Sequence, residues 1–175
     1  MAVNVGNNPA DILLTLETIP VSGYLSRPWW LVLTGPPDMD RSVSRLVERL
    51  GIPPEDLLLP CTFCATFLTE EDRLRFDFSG YNLIWRRGNA HGICTPCARV
   101  CAALEQIRFY SSEALHAEEV LEKEQKPLNE VQVRCRVCLK PLTLTEKLGA
   151  AERGEQFVRV RGVWRARCRL CKRVD

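Results

Sequence analysis

The chain has 175 residues, 46% of them hydrophobic and 26% charged, and a formal net charge of +2. That length allows one domain or two small ones. The small net charge argues against non-specific nucleic-acid binding by the chain as a whole, and no stretch approaches the ~20 apolar residues of a membrane span. The N-terminus lacks the basic start of a signal peptide, and Asp11, Glu17, Pro20 and Arg27 interrupt its apolar residues. Its cysteines are therefore expected to stay reduced, in cytosol or nucleus.

Residues 1–40 form an N-terminal extension without cysteine, in which Gly and Pro alternate with the apolar patches Ile12–Leu16 and Trp29–Leu33. Asp11–Glu17 reads either as a short acidic-apolar helix or as a loosely ordered extension; Met39 is a candidate second start. Residues 41–58 hold an amphipathic helix, Ser42 to Leu50, with Val43, Leu46, Val47 and Leu50 at helical spacing, stopped by Gly51 and Pro53-Pro54. Residues 59–97 and 131–175 each contain two Cys-x-x-Cys pairs: Cys61/Cys64 with Cys94/Cys97, and Cys135/Cys138 with Cys168/Cys171. The gaps within these segments are 29 residues in both cases, with 37 residues between the segments.

A Cys-x-x-Cys turn supplies two corners of a tetrahedron at Zn–S distances of about 2.3 Å, and a second pair supplies the other two. Four thiolates leave no open coordination position, so the pattern predicts two structural Zn ions; the minor alternatives are disulfides or redox dithiols. The repeat extends beyond the ligands. A shift of 74 positions also superposes Leu68 on Leu142, Thr69 on Thr143, Leu74 on Leu148, Arg87 on Arg161 and Gly88 on Gly162. Each Thr precedes an acid by three residues, Asp72 or Glu146, close to a capping box, so a short helix is expected after each first pair. Tyr81–Trp85 and Phe157–Arg161 then alternate as half-buried strands do. The expected fold is α+β: two homologous small zinc modules, with four cysteine ligands each, joined by a linker helix in residues 98–130. That helix is expected from Ala98 to roughly Glu124, with an apolar stripe of Val100, Ala103, Leu104, Ile107 and Tyr110, ended by Pro127. The stripe must bury itself against a module or form the wall of a cleft. Cys101 reads as a small buried residue, and His91 and His116 are surplus to two complete sites. Each module spans 37 residues from first to last cysteine, too few to fold without a metal, so chelation is expected to unfold the protein.

The pattern resembles the early protein six family of papillomaviruses over about residues 41–173, and cutaneous types more than mucosal high-risk ones. The similar words are Leu57–Cys64, Leu83-Ile-Trp-Arg86, Val133-Arg-Cys135, Glu146-Lys-Leu148 and Val160-Arg-Gly-Val-Trp164. The resemblance implies a non-enzymatic viral adaptor and oncoprotein in host nucleus and cytoplasm. It implies capture of an acidic L-x-x-L-L helix of a host protein between the two modules and the linker helix. The implied host is a HECT ubiquitin ligase or a mastermind-like Notch coactivator, and the implied effects are altered ubiquitination or transcription and opposition to apoptosis and differentiation. The implied peptide-binding residues are Arg86, Val100, Leu104, Ile107, Arg134 and Arg161, with Arg41 a further match. Phe76 and Phe78 fall in a region used for self-association, and Phe78 is the candidate for a homodimer contact. Val163 stands where some relatives carry another basic groove residue. The ending Lys172-Arg-Val-Asp175 lacks a PDZ-binding tail, so no PDZ partner is expected.

Three rival readings are weaker. Arg159 to Arg173 holds seven basic residues and no acid, which supports a zinc-dependent nucleic-acid-binding regulator, but no recognition-helix finger pattern accompanies it. A RING ligase is opposed by the spacing. No nucleophile, base and orienter or open metal site can be assembled for an enzyme.

Overall fold

The computed structural model describes residues 39–172. The expectations placed on Asp11–Glu17, on Trp29–Leu33 and on the last three residues lie outside that range. The chain divides into two compact units, the first ending at Cys97 and the second beginning at Ala98.

In the first unit, α1 (Val43–Leu50) starts at Ser42, whose side chain accepts from the Arg45 amide, and stops at Gly51 in the left-handed region at φ 64°. Its first amides are also capped from a distance. The Asp77 carboxylate accepts from Val43 N and Ser44 N, both at 2.8 Å, anchoring α1 to the helix that carries Asp77. That helix, α2 (Glu70–Phe78), has the expected capping box, with Asp72 N donating to Thr69 Oγ1 and Thr69 N to the Asp72 carboxylate. Glu70, Glu71 and Asp72 in its first turn complement the helix dipole. Phe76 is buried and meets Tyr81 edge-on at 5.5 Å, whereas Leu74 and Phe78, one turn apart, are left bare. β1 (Ile84–Arg86) pairs antiparallel with β2 (Asn89–His91).

α3 (Thr95–Phe109) leads from the second cysteine pair into the second unit. The single helix expected to run to about Glu124 is not formed. It gives way to β3 (Tyr110–Leu115), and helix resumes as α4 (Ala117–Glu124). Serines are indifferent helix formers because their hydroxyls bond to backbone in other conformations. Here the Ser111 hydroxyl donates to Arg159 O at 3.0 Å while β3 pairs with β5 (Phe157–Val160), matching Tyr110 to Val160 and Leu115 to Phe157 across a bulge. The sheet runs β3-β5-β6-β4, with β6 (Val163–Ala166) antiparallel to β5 and parallel to β4 (Val133–Cys135). Residues 98–130 are thus part of the second unit: β3 lies in its sheet, and Ala117 and Val120 of α4 lie in its core with Phe157 and Trp164. α5 (Leu144–Glu152) carries the second expected capping box, Thr143 with Glu146, and α6 (Arg169–Lys172) closes the described chain.

α3 also corrects the expected stripe. Cys97, Ala98, Cys101, Ala102 and Glu105 are its buried residues, whereas Ile107 is 79% exposed, Tyr110 and Ala103 are exposed, and Val100 and Leu104 are half-buried. Both sets have helical spacing. Small side chains admit close approach of the neighbouring backbone, so the narrow face of the helix packs and the bulky one stays out.

The two modules share their hydrogen bonds at the same 74-residue offset. Cys61 N donates to Thr66 O and Cys135 N to Lys140 O, both at 2.8 Å. Thr62 N donates to Gly92 O at 2.9 Å and Arg136 N to Ala166 O at 3.0 Å. A tether by a cation recurs as well: half-buried Arg73 Nη1 donates to Leu57 O at 3.1 Å, and buried Lys147 Nζ to Val131 O at 2.6 Å. Lys147 also reaches Leu128 O at 2.9 Å and Asn129 O at 3.3 Å, so one ammonium serves three carbonyls of the strap before β4. Burial lowers its pKa from the ordinary lysine value. Lys147→Met keeps the volume and strips the strap of this donor; the zinc-loaded variant is expected to lose about 3 kcal/mol in denaturant unfolding of the second unit, given the cost of unpaired buried carbonyls. An unchanged midpoint would show that water replaces the ammonium.

Candidate metal centres

In both modules the first Cys-x-x-Cys is a tight turn. Cys61 O accepts from Ala65 N at 3.0 Å and Cys135 O from Leu139 N at 2.9 Å, with Ala65 and Leu139 at φ 58° and 61°. The second pair opens a helix, α3 in one module and α6 in the other. Backbone pairing sets the two halves side by side: Cys61 bridges to Gly92 in parallel, and Cys135 of β4 pairs with Ala166 of β6.

The eight cysteines form two clusters, Cys61, Cys64, Cys94 and Cys97, and Cys135, Cys138, Cys168 and Cys171; within each, all Sγ atoms lie within 4.8 Å of one another. The Sγ atoms of Cys64 and Cys94 are 3.7 Å apart and those of Cys138 and Cys168 3.8 Å. A tetrahedron of Zn–S bonds about 2.3 Å long has edges of about 3.8 Å. The spacing therefore fits a shared metal ion and not a disulfide, whose sulfurs lie about 2.05 Å apart. All the cysteines of the described residues are free of disulfides.

The protonation of the clusters points the same way. Thiol hydrogen bonds, from Cys94 and Cys97 to Cys61 and from Cys138 and Cys168 to Cys135, hold those two sulfurs well below the ordinary thiol range. The neighbours move oppositely: the hydrogen bond to Cys61 pushes Cys94 up to about 12, and burial pushes Cys171 up to about 12. Sulfurs this close resist losing further protons until a dication stabilises the thiolates, as Zn2+ does on binding. Backbone amides support the thiolate sulfurs, Cys94 N to Cys61 Sγ and Cys168 N to Cys135 Sγ, both at 3.5 Å. Each set would hold a structural zinc as a closed tetrathiolate centre, with no place for substrate.

Among the described residues neither histidine belongs to a metal cluster: His91 Nδ1 sits 3.1 Å from Asn89 O, and His116 is exposed at the start of α4. Cys101 is buried in α3, apart from the clusters.

The residues expected to bind peptide are not equivalent. Arg86 is exposed at the end of β1 in the first unit. In the second unit, Arg134 donates to Leu139 O at 2.9 Å. Arg161 lies 4.1 Å above the Phe109 ring and 3.6 Å from Glu105. Glu105 also pairs with Arg165 at 2.9 Å, and Arg165 is only 2% exposed. Burial pushes the Glu105 carboxyl above the usual carboxylate range, against the pull of Arg165 and Arg161, and lowers Arg165 to about 10. The sequence reading missed this buried pair; a lone acid on an otherwise small and apolar helix face was its only signal. Of the two phenylalanines, Phe76 is core and Phe78 is 63% exposed. The basic run is largely engaged: Arg159 pairs with Glu113 and Glu124 and lies over Trp164, and Lys172 bonds Glu155 at 2.6 Å.

Fold and sites together define a class of zinc-binding protein: two small α+β modules, each closed by four cysteines. The model of the Early Protein (E6) family matches residues 61–171, and the chain belongs to that papillomavirus family. It is 59% identical over 136 residues to protein E6 of the Mastomys natalensis papillomavirus, covering 78% of this chain and all of that protein. It is 40% identical over 134 residues to protein E6 of human papillomavirus type 1, covering 75% of this chain and 94% of the relative. The solution structure of the C-terminal zinc-binding domain of the human papillomavirus 51 oncoprotein E6 aligns with 35% of this chain and 80% of its own, at 23% identity and a TM-score of 0.33.

Proposed function

We propose that the protein is a non-enzymatic adaptor of host nucleus and cytoplasm that captures acidic L-x-x-L-L helices of host proteins. The partner is a HECT ubiquitin ligase or a mastermind-like Notch coactivator, and its capture redirects ubiquitination or transcription so as to oppose apoptosis and differentiation. The observation that carries this reading is the apolar row on α3, half-buried Val100 and Leu104 with exposed Ile107, left accessible while the helix packs by its small residues. An amphipathic helix is held by such a row when cations stand near enough to meet its acids. In the second unit Arg134 and Arg165 are close enough to repel, and with Arg161 they outnumber the single acid Glu105. That excess of positive charge suits an acidic peptide. Phe78, bare on α2 beside Leu74, is the corresponding candidate for self-association.

Fluorescence polarisation of the zinc-loaded chain with acidic L-x-x-L-L peptides from both hosts tests the reading. Micromolar or tighter binding to one of them is expected, weakened at least about tenfold, or 1.4 kcal/mol, by Ile107→Glu. Ile107 is the better probe because Arg134 also bonds the Leu139 carbonyl, so its loss would disturb the module. No binding to either peptide, or binding indifferent to Ile107→Glu, removes the proposal.

A further inference from the structure

The two acids of the capping boxes reach further than their own helices. Asp72 Oδ2 accepts from Thr69 N at 3.4 Å, within the box. Its other oxygen faces the second cysteine pair, where Oδ1 accepts from Thr95 N at 2.9 Å and from Thr95 Oγ1 at 2.6 Å. Thr95 follows the ligand Cys94 directly. In the second module Glu146 divides its oxygens in the same way: Oε2 accepts from Thr143 N at 3.0 Å, and Oε1 from Arg169 N at 3.0 Å. Arg169 follows the ligand Cys168.

Each carboxylate is therefore bonded to both halves of its site. One oxygen holds the start of the helix that leaves the first cysteine pair, and the other holds the residue next to the third ligand. Asp in one module and Glu in the other make the same bridge with side chains of different length, and Glu146 also holds Lys140 at 3.0 Å, where the first module has Thr66. A helix cap alone would need only the first of these contacts.

We propose that Asp72 and Glu146 are positioning residues for the metal centres: each fixes the separation of its two cysteine pairs and so sets how firmly its zinc is held. Groups outside the ligand set that orient the ligands commonly alter metal affinity by about 10–100-fold when removed. Asn and Gln are the informative replacements, because an amide presents one accepting oxygen and cannot serve both halves.

The test is chelator competition on the zinc-loaded full chain, with the cadmium-113 NMR spectrum of the cadmium-loaded chain to tell the two sites apart. Asp72→Asn is expected to lower the affinity of one ion by about 10–100-fold and shift its cadmium signal, with the other ion unchanged; Glu146→Gln is expected to do the same at the other site. Thr69→Ala and Thr143→Ala, which remove the hydroxyl cap but leave the bridge, are expected to keep both affinities. A variant that takes up a single ion with the other module's signal intact supports the proposal too. Unchanged affinities in Asp72→Asn and Glu146→Gln overturn it, as does equal loss in Thr69→Ala, which would reduce the role to helix capping. Loss of both ions from one substitution also overturns it, since that is global unfolding.

Discussion

Removing zinc from the full chain with a strong chelator is expected to unfold both units. Each metal site closes a 37-residue stretch, short enough that apolar burial alone seldom outweighs chain entropy. Binding of a structural zinc by such a stretch is itself folding free energy, on the order of 10–16 kcal/mol in finger peptides. In these modules the dependence is direct, since Cys135, Cys168 and Cys171 are core residues as well as ligands, packed with Phe157 and Trp164. Zinc binds thiolates and displaces their protons, so acidification acts in the same direction as chelation and weakens metal binding as pH falls. The expected readout is loss of far-UV ellipticity and a red shift of tryptophan emission from buried Trp164, both reversed by added zinc. A metal-free chain that kept its native spectrum would sink this account.

Glu105→Ala is expected to be the most damaging substitution outside the cysteines. It removes the carboxylate 2.9 Å from a guanidinium that is almost wholly buried, and breaking such a pair from one side typically costs about 3–5 kcal/mol. Arg134 nearby makes matters worse, because its charge repels the one left behind. The double variant Glu105→Leu with Arg165→Met should recover most of the loss, since apolar groups of similar volume replace a buried ion pair at little net cost. Denaturant unfolding of the zinc-loaded single and double variants decides it. If Glu105→Ala unfolds at the same midpoint as the unaltered chain, solvent reaches Arg165 and the pair is not the buried one described.

The metal ligands were legible because their chemistry is written in short spacing: two residues in a turn, repeated at a fixed offset. The capping boxes were legible for the same reason, with Thr69 and Asp72, or Thr143 and Glu146, three residues apart. What depends on a distant partner was not. Nothing local says that Tyr110–Leu115 will meet the edge of β5, and that partner is what turns an apparently helical stretch into strand. The α3 stripe was misjudged because large side chains suggest burial, whereas the packed face is Ala98, Cys101 and Ala102. Glu105 and Arg165 are 60 residues apart, and only the completed fold makes them neighbours.

The parallel bridge between the halves of each site, Cys61 to Gly92 and β4 to β6, bears on the order of assembly. The turn of each first pair is held by bonds spanning only a few residues, so it can form early and offer two sulfurs while the rest of the module is still open. Bringing in the second pair means closing a 29-residue loop, which costs about 3 kcal/mol of chain entropy before any parallel contact forms. An ion already held by two sulfurs gains its remaining ligands only at that closure. The slow event in making either module is thus the meeting of its two ends, and metal capture and strand pairing are completed in the same step.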